Sequence, residues 1–192
     1  MVRAILEGRK TQTRRPVKFP LIDKNMGCEL AGNELAGELA AHNYWNSPYG
    51  KPGDRIWVRE TFRVHSRATD VATLVYRASV RNSWTEQTHR VPVAVCNKQV
   101  TPDKWTPSIH MPRWASRITL EITDVRVERL RDLSEEDAKS EGIIPSAGGV
   151  LPGWEYRINF RDLWMDIYGT DNWEANPWVW VIEFKRVEGA AL

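Results

Sequence analysis

Hydrophobic and polar residues alternate with the two-residue period of a β-strand in several stretches of the chain. In the clearest stretch, Ile118, Leu120 and Ile122 fall on one face and polar residues fall between them. Such alternation is typical of a half-buried strand. The pattern predicts strands, of varying clarity, at residues 54–62, 72–78, 89–95, 117–130 and 176–187.

A second pattern, with apolar residues three and four apart, predicts the helices. The longest predicted helix covers residues 156–168, with Gly169 as its stop. A short helix is predicted to begin at Ser134, an N-cap with Asp137 three residues on, and to end at Gly142. Another short helix is predicted over residues 2–7. Residues 33–43 could form one more, but their glycines and the later SPYGKPGD favour a surface excursion.

The segments between these elements are rich in Pro, Gly and polar residues. Residues 18–53 predict a long surface excursion, residues 97–114 a loop, and residues 143–153 a flexible loop. Strands mixed with a few helices indicate an α+β fold around a small β-barrel or a strongly bent sheet. A length of 192 residues predicts a single domain over 1–192.

Composition narrows the class of protein. The chain has no run of 18 apolar residues and no recognisable signal peptide. The sequence therefore predicts a cytoplasmic protein without a membrane partner. Cys28 and Cys96 are far apart and read as reduced thiols. A net charge of only +2 excludes a strongly basic nucleic-acid coat but allows a local basic patch.

Ten tryptophans are unusual for this length, and some stand beside arginine. Trp57 with Arg59, and Arg113 with Trp114, are candidates for stacking on bases and for lining a pocket. Packing of both tryptophans in the core is the alternative interpretation.

The candidate chemistry lies in GRKTQTRR, residues 8–15. It lacks the second glycine of a P-loop. A phosphate grip, a catalytic site and a solvated turn all remain open. Lys10 could take a proton from the Thr13 hydroxyl, because burial favours a neutral lysine, and a carboxylate could supply a proton to a leaving amine. The four histidines are scattered, so the sequence predicts no metal and no cofactor.

Five stretches in this order resemble the ASCH domain of the PUA-like superfamily: GRKTQTRR, YGKPGDRIWVRETF, RITLEITDVRVERL, LSEEDAKSEGI and WVWVIEFKR. The chain most resembles ASCH proteins encoded by phages and prophages. The resemblance implies a PUA-like small β-barrel with flanking helices, and insertions near 18–50 and 63–112. The family usually has a strand before the first helix, which leaves open whether a strand precedes Met1 or the barrel lacks it.

One branch of this family removes the acyl group from N4-acetylcytidine. Carried over to this chain, its lysine, threonine and glutamate correspond to Lys10, Thr13 and Glu141. The resemblance therefore implies an amidohydrolase of N4-acylated cytidine, with Lys10 activating Thr13 or a water and Glu141 passing a proton to the leaving nitrogen. The side chains expected to hold a phosphate or carboxylate nearby are Arg9, Arg14 and Arg15.

Two other functions stay open at this point. Other branches of the family resemble RNA-binding modules, and some a ribonuclease, so the same basic stretch could grip RNA without catalysis. A phage interaction or assembly protein is the third interpretation. The expected partner is thus a modified nucleoside or RNA, and no protein partner can be read from the sequence.

Overall fold

The computed structural model describes residues 1–79, 88–101, 103–145 and 155–187. The chain divides into two compact units. The first is formed by residues 3–54 and 121–185 with Met1, and the second by residues 55–120 with Val2 and the segment from residue 186. The predicted insertion at 18–50 falls in the first unit and that at 63–112 in the second. A single domain over 1–192 stays a prediction.

The sheet of the first unit contains β1 (Gln12–Pro16), β7 (Trp178–Val187) and β6 (Thr119–Arg129), in the order β1-β7-β6. β1 is antiparallel to β7, with Thr13 opposite Ile182. Residues 8–15 are therefore not a turn throughout, because a strand begins at Gln12. Its polar sequence carries little strand signal, and pairing with the apolar β7 decides the local conformation.

Five helices of the first unit are described: α1 (Val2–Leu6), α2 (Gly32–Ala40), α3 (Glu135–Ser140), α4 (Glu155–Tyr168) and α5 (Thr170–Glu174). α1, α3 and α4 confirm the predicted helices, and α2 forms where the sequence allowed a helix but favoured an irregular excursion. One core cluster joins α3 and α4 to β7, and its buried members are Leu130, Leu133, Ala138, Phe160, Trp164, Val179 and Val181.

The short helix α3 is fixed at both ends by its own sequence. The Ser134 hydroxyl accepts a hydrogen bond from the Asp137 N–H at 3.0 Å, and the Asp137 carboxylate accepts from the Ser134 N–H at 3.2 Å. This capping box satisfies two backbone donors at the helix start. Glu141 is the C-cap, and Gly142 follows in the left-handed region with φ +81°. The capping thus places Glu141 at the end of α3.

In the second unit, β3 (Phe62–Arg67), β4 (Val71–Tyr76) and β5 (Thr88–Pro92) form an antiparallel sheet in that order. The predicted strand over 54–62 is broken, since β2 (Arg55–Trp57) ends before β3 begins. The predicted loop at 97–114 contains two 3₁₀ turns, Ser108–His110 and Arg113–Ala115. The core of this unit comprises Phe62, Val64, Ala72, Leu74, Tyr76, Val91, Cys96, Met111 and Ala115.

A mixed α+β fold with antiparallel strands and a few helices is confirmed, and it is compatible with a small β-barrel plus helices. Within the flexible loop predicted for 143–153, residues 146–153 lie outside the described part of the chain. None of the described helices combines the length and apolar character needed to cross a membrane.

Candidate active site

Backbone hydrogen bonds bring Lys10 beside Glu141, although 131 residues separate them in sequence. α1 ends at Leu6, and Gly8, with a φ of +72°, turns the chain. The Lys10 N–H then donates to the Ala4 carbonyl at 3.0 Å. Thr11 donates to the Ser140 carbonyl at 2.8 Å, and Lys10 and Glu141 form an antiparallel bridge. The end of α3 is thereby held against the chain leaving α1.

The side chains of these two residues form a buried ion pair. Lys10 Nζ lies 2.6 Å from Glu141 Oε2 and also donates to the Glu141 carbonyl at 2.9 Å. The two side chains are only 5% and 7% exposed. A buried pair of opposite charges needs close geometry and further hydrogen bonds to offset its loss of hydration. The short contact also places an amine and a carboxyl group within range of proton transfer.

A third charged side chain, Arg14, lies behind Glu141 and is fully buried. Arg14 Nη2 lies 2.6 Å from Glu128 Oε1 and 3.4 Å from Asp137 Oδ2, and its Nη1 lies 3.6 Å from Glu141 Oε1. Arg14 Nε, Arg14 Nη1 and Glu141 Oε1 have no hydrogen-bond partner among the described residues. Arg14 therefore acts on Glu141 mainly through charge.

Asp137 ties this cluster to the capping of α3. Burial favours the neutral carboxylic acid, but hydrogen bonds from Ser134 and the Arg14 charge outweigh it and hold the pKa of Asp137 below its ordinary value. Gln12 Nε2 donates to Asp137 Oδ1 at 3.1 Å, and Arg126 Nη2 lies 3.1 Å from the same oxygen. The same aspartate thus caps the helix that carries Glu141 and neutralises part of the Arg14 charge.

These groups line a cavity of about 190 Å³ within the first unit. Its polar lining comprises Lys10, Thr13, Arg14, Arg15 and Glu141. Its apolar lining includes five side chains of α4, which are Phe160, Leu163, Trp164, Ile167 and Tyr168. Leu163 and Ile167 are about half exposed, at 46% and 56%, and so form its rim. The cavity combines a charged wall with a largely aromatic one.

Arg9 and Arg15 differ in their relation to this cavity. Arg15 lines it and donates to the Tyr168 hydroxyl at 3.3 Å. The Arg9 guanidinium instead donates to the Glu7 carboxylate at 2.9 Å and to the Gly142 carbonyl at 3.0 Å, and Arg9 is not among the residues that line this cavity.

The other four predicted binding residues belong to the second unit. The guanidinium groups of Arg59 and Arg113 lie 5.1 and 5.9 Å from the ring centroid of Trp57. Trp114 instead packs edge-on against the buried Phe62, with 6.4 Å between ring centroids. Trp114 thus has the contacts of a core residue, whereas Trp57 carries two cations as well as its contact with the core.

Sequence reasoning missed the aromatic wall and the role of Arg14. The helical spacing of α4 was visible, but that pattern is equally typical of a helix face that packs only in the core. In the part of the chain that the structure describes, no group of three His, Cys, Asp or Glu side chains is arranged to hold a metal ion.

Comparison of the chain with protein-family models, with curated proteins and with solved structures gives no match.

Proposed function

We propose that this protein is an amidohydrolase of the PUA-like ASCH type that removes the acyl group from an N4-acylated cytidine. The observation that supports it is the buried Lys10–Glu141 contact of 2.6 Å on a cavity that Thr13 also lines. The three residue types needed to activate a nucleophile and to protonate a leaving nitrogen thus share one small cavity.

The ion pair can supply both the base and the acid. Transfer of one proton from Lys10 Nζ to Glu141 Oε2 leaves an amine and a carboxylic acid, with no net change in charge. In a buried site a neutral pair loses less hydration than two ions. The amine is then available to accept a proton, and the carboxylic acid to donate one.

In the proposed reaction, Lys10 takes the proton of the Thr13 hydroxyl as Thr13 Oγ1 attacks the acyl carbon. The bond between that carbon and the exocyclic nitrogen breaks, and the nitrogen takes its proton from Glu141. Water then hydrolyses the acyl ester on Thr13 and restores the hydroxyl. If water attacks the acyl carbon directly, Lys10 deprotonates the water, the carbon–nitrogen bond breaks and the nitrogen takes its proton from Glu141. The acyl group is then released as a carboxylic acid without an ester intermediate. Both routes consume one water and yield the amine and the acid.

The walls of the cavity fit a flat heterocycle. Trp164 and Tyr168 are in ring contact, with centroids 4.4 Å apart, and both line the cavity. Aromatic side chains of this kind stack on unpaired bases. Arg15, on the same cavity, offers a cation for a carboxylate or phosphate on the substrate.

The alternative in which residues 8–15 grip RNA phosphates has less support. Arg9 is paired with Glu7, Lys10 with Glu141, and Arg14 with Glu128. Three of the four cations therefore already have a carboxylate partner. A phosphate would have to compete with these carboxylates for the cations. The Lys10 and Arg14 side chains are also buried in their pairs.

Hydrolysis of N4-acetylcytidine by the purified chain tests the proposal. Lys10→Ala and Glu141→Ala are expected to abolish release of cytidine, and Lys10→Arg to do the same because a guanidinium keeps its proton. The matched control is Lys185→Ala, which removes an exposed lysine 2.8 Å from Glu121 and should leave turnover unchanged. A folded wild-type protein without turnover would rule out this substrate, and turnover by Lys10→Ala would rule out the mechanism.

A further inference from the structure

The near-neutral net charge of the chain hides two oppositely charged parts. Residues 55–120, the main body of the second unit, contain 11 Lys or Arg and four Asp or Glu. The rest of the chain contains 16 Lys or Arg and 21 Asp or Glu. The second unit is therefore strongly basic on its own, which is the charge distribution of a surface that binds a polyanion.

Most of the described Lys and Arg side chains of residues 55–120 have no carboxylate within salt-bridge distance. The described residues of 55–120 contain one salt bridge, between Arg117 and the buried Glu60 at 2.9 Å. The two other described acids of this segment, Asp70 and Asp103, are exposed. By contrast, the candidate active site surrounds its cations with carboxylates. The second unit thus has positive charge available for a ligand.

The face of the three-stranded sheet that points away from its core carries part of this charge beside an aromatic ring. Phe62, Val64 and Leu74 point into the core, so Arg63, between the first two, lies on the opposite face. Its guanidinium lies 4.9 Å from the ring centroid of Trp105. Arg90 on β5 is exposed and pairs with Thr73 of β4. Thr73 lies between the core residues Ala72 and Leu74, so Thr73 and Arg90 lie on the same face as Arg63.

A second contact of the same kind involves Trp57, whose ring lies near the guanidinium groups of both Arg59 and Arg113. Trp57 and Trp105 are both partly exposed. Arginine beside an accessible ring suits a nucleic-acid strand, because the cation meets a phosphate while a base stacks on the ring. An acidic protein or an anionic lipid surface would use the charge but would not need the rings.

The geometry points to a binding surface for single-stranded nucleic acid on the second unit, with Arg63, Arg90 and Trp105 as its contacts on the sheet and Trp57 as a second stacking position. This surface and the cavity of Lys10 and Glu141 belong to different units, and the proposed surface does not depend on the proposed hydrolysis. Its bases would be held by stacking, so binding is expected to tolerate many sequences.

The test is binding of fluorescently labelled 12-nucleotide strands, oligo-U and oligo-dT, to the full chain at 50 and 200 mM salt. Kd is expected to rise by about tenfold or more between these salt concentrations, as released counterions require. Tighter binding of oligo-U identifies RNA as the ligand, and tighter binding of oligo-dT identifies DNA. Kd independent of salt, or tighter binding of a duplex, would overturn the proposal.

Substitutions locate the surface. The double variant Arg63→Gln/Arg90→Gln is expected to raise Kd by about tenfold or more, and Trp105→Ala to weaken oligonucleotide binding but not heparin binding. The matched control is Arg131→Gln/Arg161→Gln, in the first unit, where each arginine has an acidic partner within 2.8 Å. Equal losses in the two double variants, or equal effects of Trp105→Ala on heparin and oligonucleotide, would overturn the assignment.

Discussion

Arg14 Nη1 lies 3.6 Å from Glu141 Oε1, and neither atom has a hydrogen-bond partner among the described residues. The other carboxylate oxygen of Glu141 contacts Lys10 at 2.6 Å. Glu141 is therefore held between two cations, one of which takes part in the proposed proton transfer and one of which acts only through its charge. On this argument Arg14 is a positioning residue.

Arg14→Met is expected to lower kcat for N4-acetylcytidine on the order of 100-fold, because small displacements of a reacting group cost this much. KM should change little, since the binding walls remain. Arg14→Lys should restore part of kcat. Steady-state kinetics would measure all three.

A purely structural role for Arg14 gives a different result. It would lower the amount of folded protein and leave kcat per folded molecule unchanged. Arg161→Met is the control, because Arg161 pairs with the neighbouring Asp162 at the surface.

The buried ion pair predicts unequal costs for removing its two partners. Glu141→Gln leaves the Lys10 ammonium buried without a counter-charge, which should lower the free energy of unfolding by about 3–5 kcal/mol. Lys10→Met should cost less, because the Glu141 carboxylate keeps Arg14 nearby. Urea unfolding of both variants measures the difference. The exposed pair Lys185–Glu121 is the control, and its removal should cost at most about 1 kcal/mol. Equal costs for the two buried variants would contradict this account.

Gly142 and Gly8 offer a matched test of how the backbone places Lys10. Both have positive φ, +81° and +72°. A Cβ on Gly142 would lie 2.9 Å from the Cβ atoms of both Ala4 and Lys10, whereas a Cβ on Gly8 would meet nothing within 4 Å. Each Gly→Ala change should cost about 1–2 kcal/mol of stability for the left-handed backbone.

Only Gly142→Ala should also displace Lys10 and reduce kcat, because only its Cβ contacts that residue. Thermal unfolding and hydrolysis rates of the two variants would separate the effects. Equal catalytic losses in the two variants would show that backbone strain alone, and not the contact with Lys10, is responsible.

Elements with local signals could be predicted from the sequence. Ser134, Asp137 and Gly142 define α3 within nine residues, and the capping box forms as expected. β1 could not be predicted in the same way, because its partner β7 lies more than 160 residues away and its own sequence is polar. The break between β2 and β3 depends likewise on distant partners, since Glu60 is buried against Arg117.

In the candidate site too, some features could be predicted from the sequence and others depend on distant residues. Lys10, Thr13 and Glu141 came from a family resemblance, and the structure places them on one cavity. The charge of residues 55–120 was present in the sequence, but the net charge of the whole chain concealed it. The roles of Arg14 and of the α4 wall depend on three-dimensional proximity, which residue patterns alone do not supply.

His89 predicts a pH dependence of stability in the second unit. Burial and the nearby Arg117 cation lower the pKa of His89 from its ordinary value of 6.5, and Glu60 only partly opposes them. Below about pH 6.5 the unfolded chain therefore binds a proton that the folded chain does not, so the free energy of unfolding should fall as pH drops from 7.5 to 5.5. His89→Gln should lose less stability over this range, as measured by urea unfolding at both pH values. His110→Gln, which removes an exposed imidazole, should behave as the wild type does. A lowered pKa of His89 in the folded state requires that removing the imidazole reduce the dependence of the free energy of unfolding on pH. If His89→Gln and the wild type lose equal stability between pH 7.5 and 5.5, His89 is therefore not the group responsible.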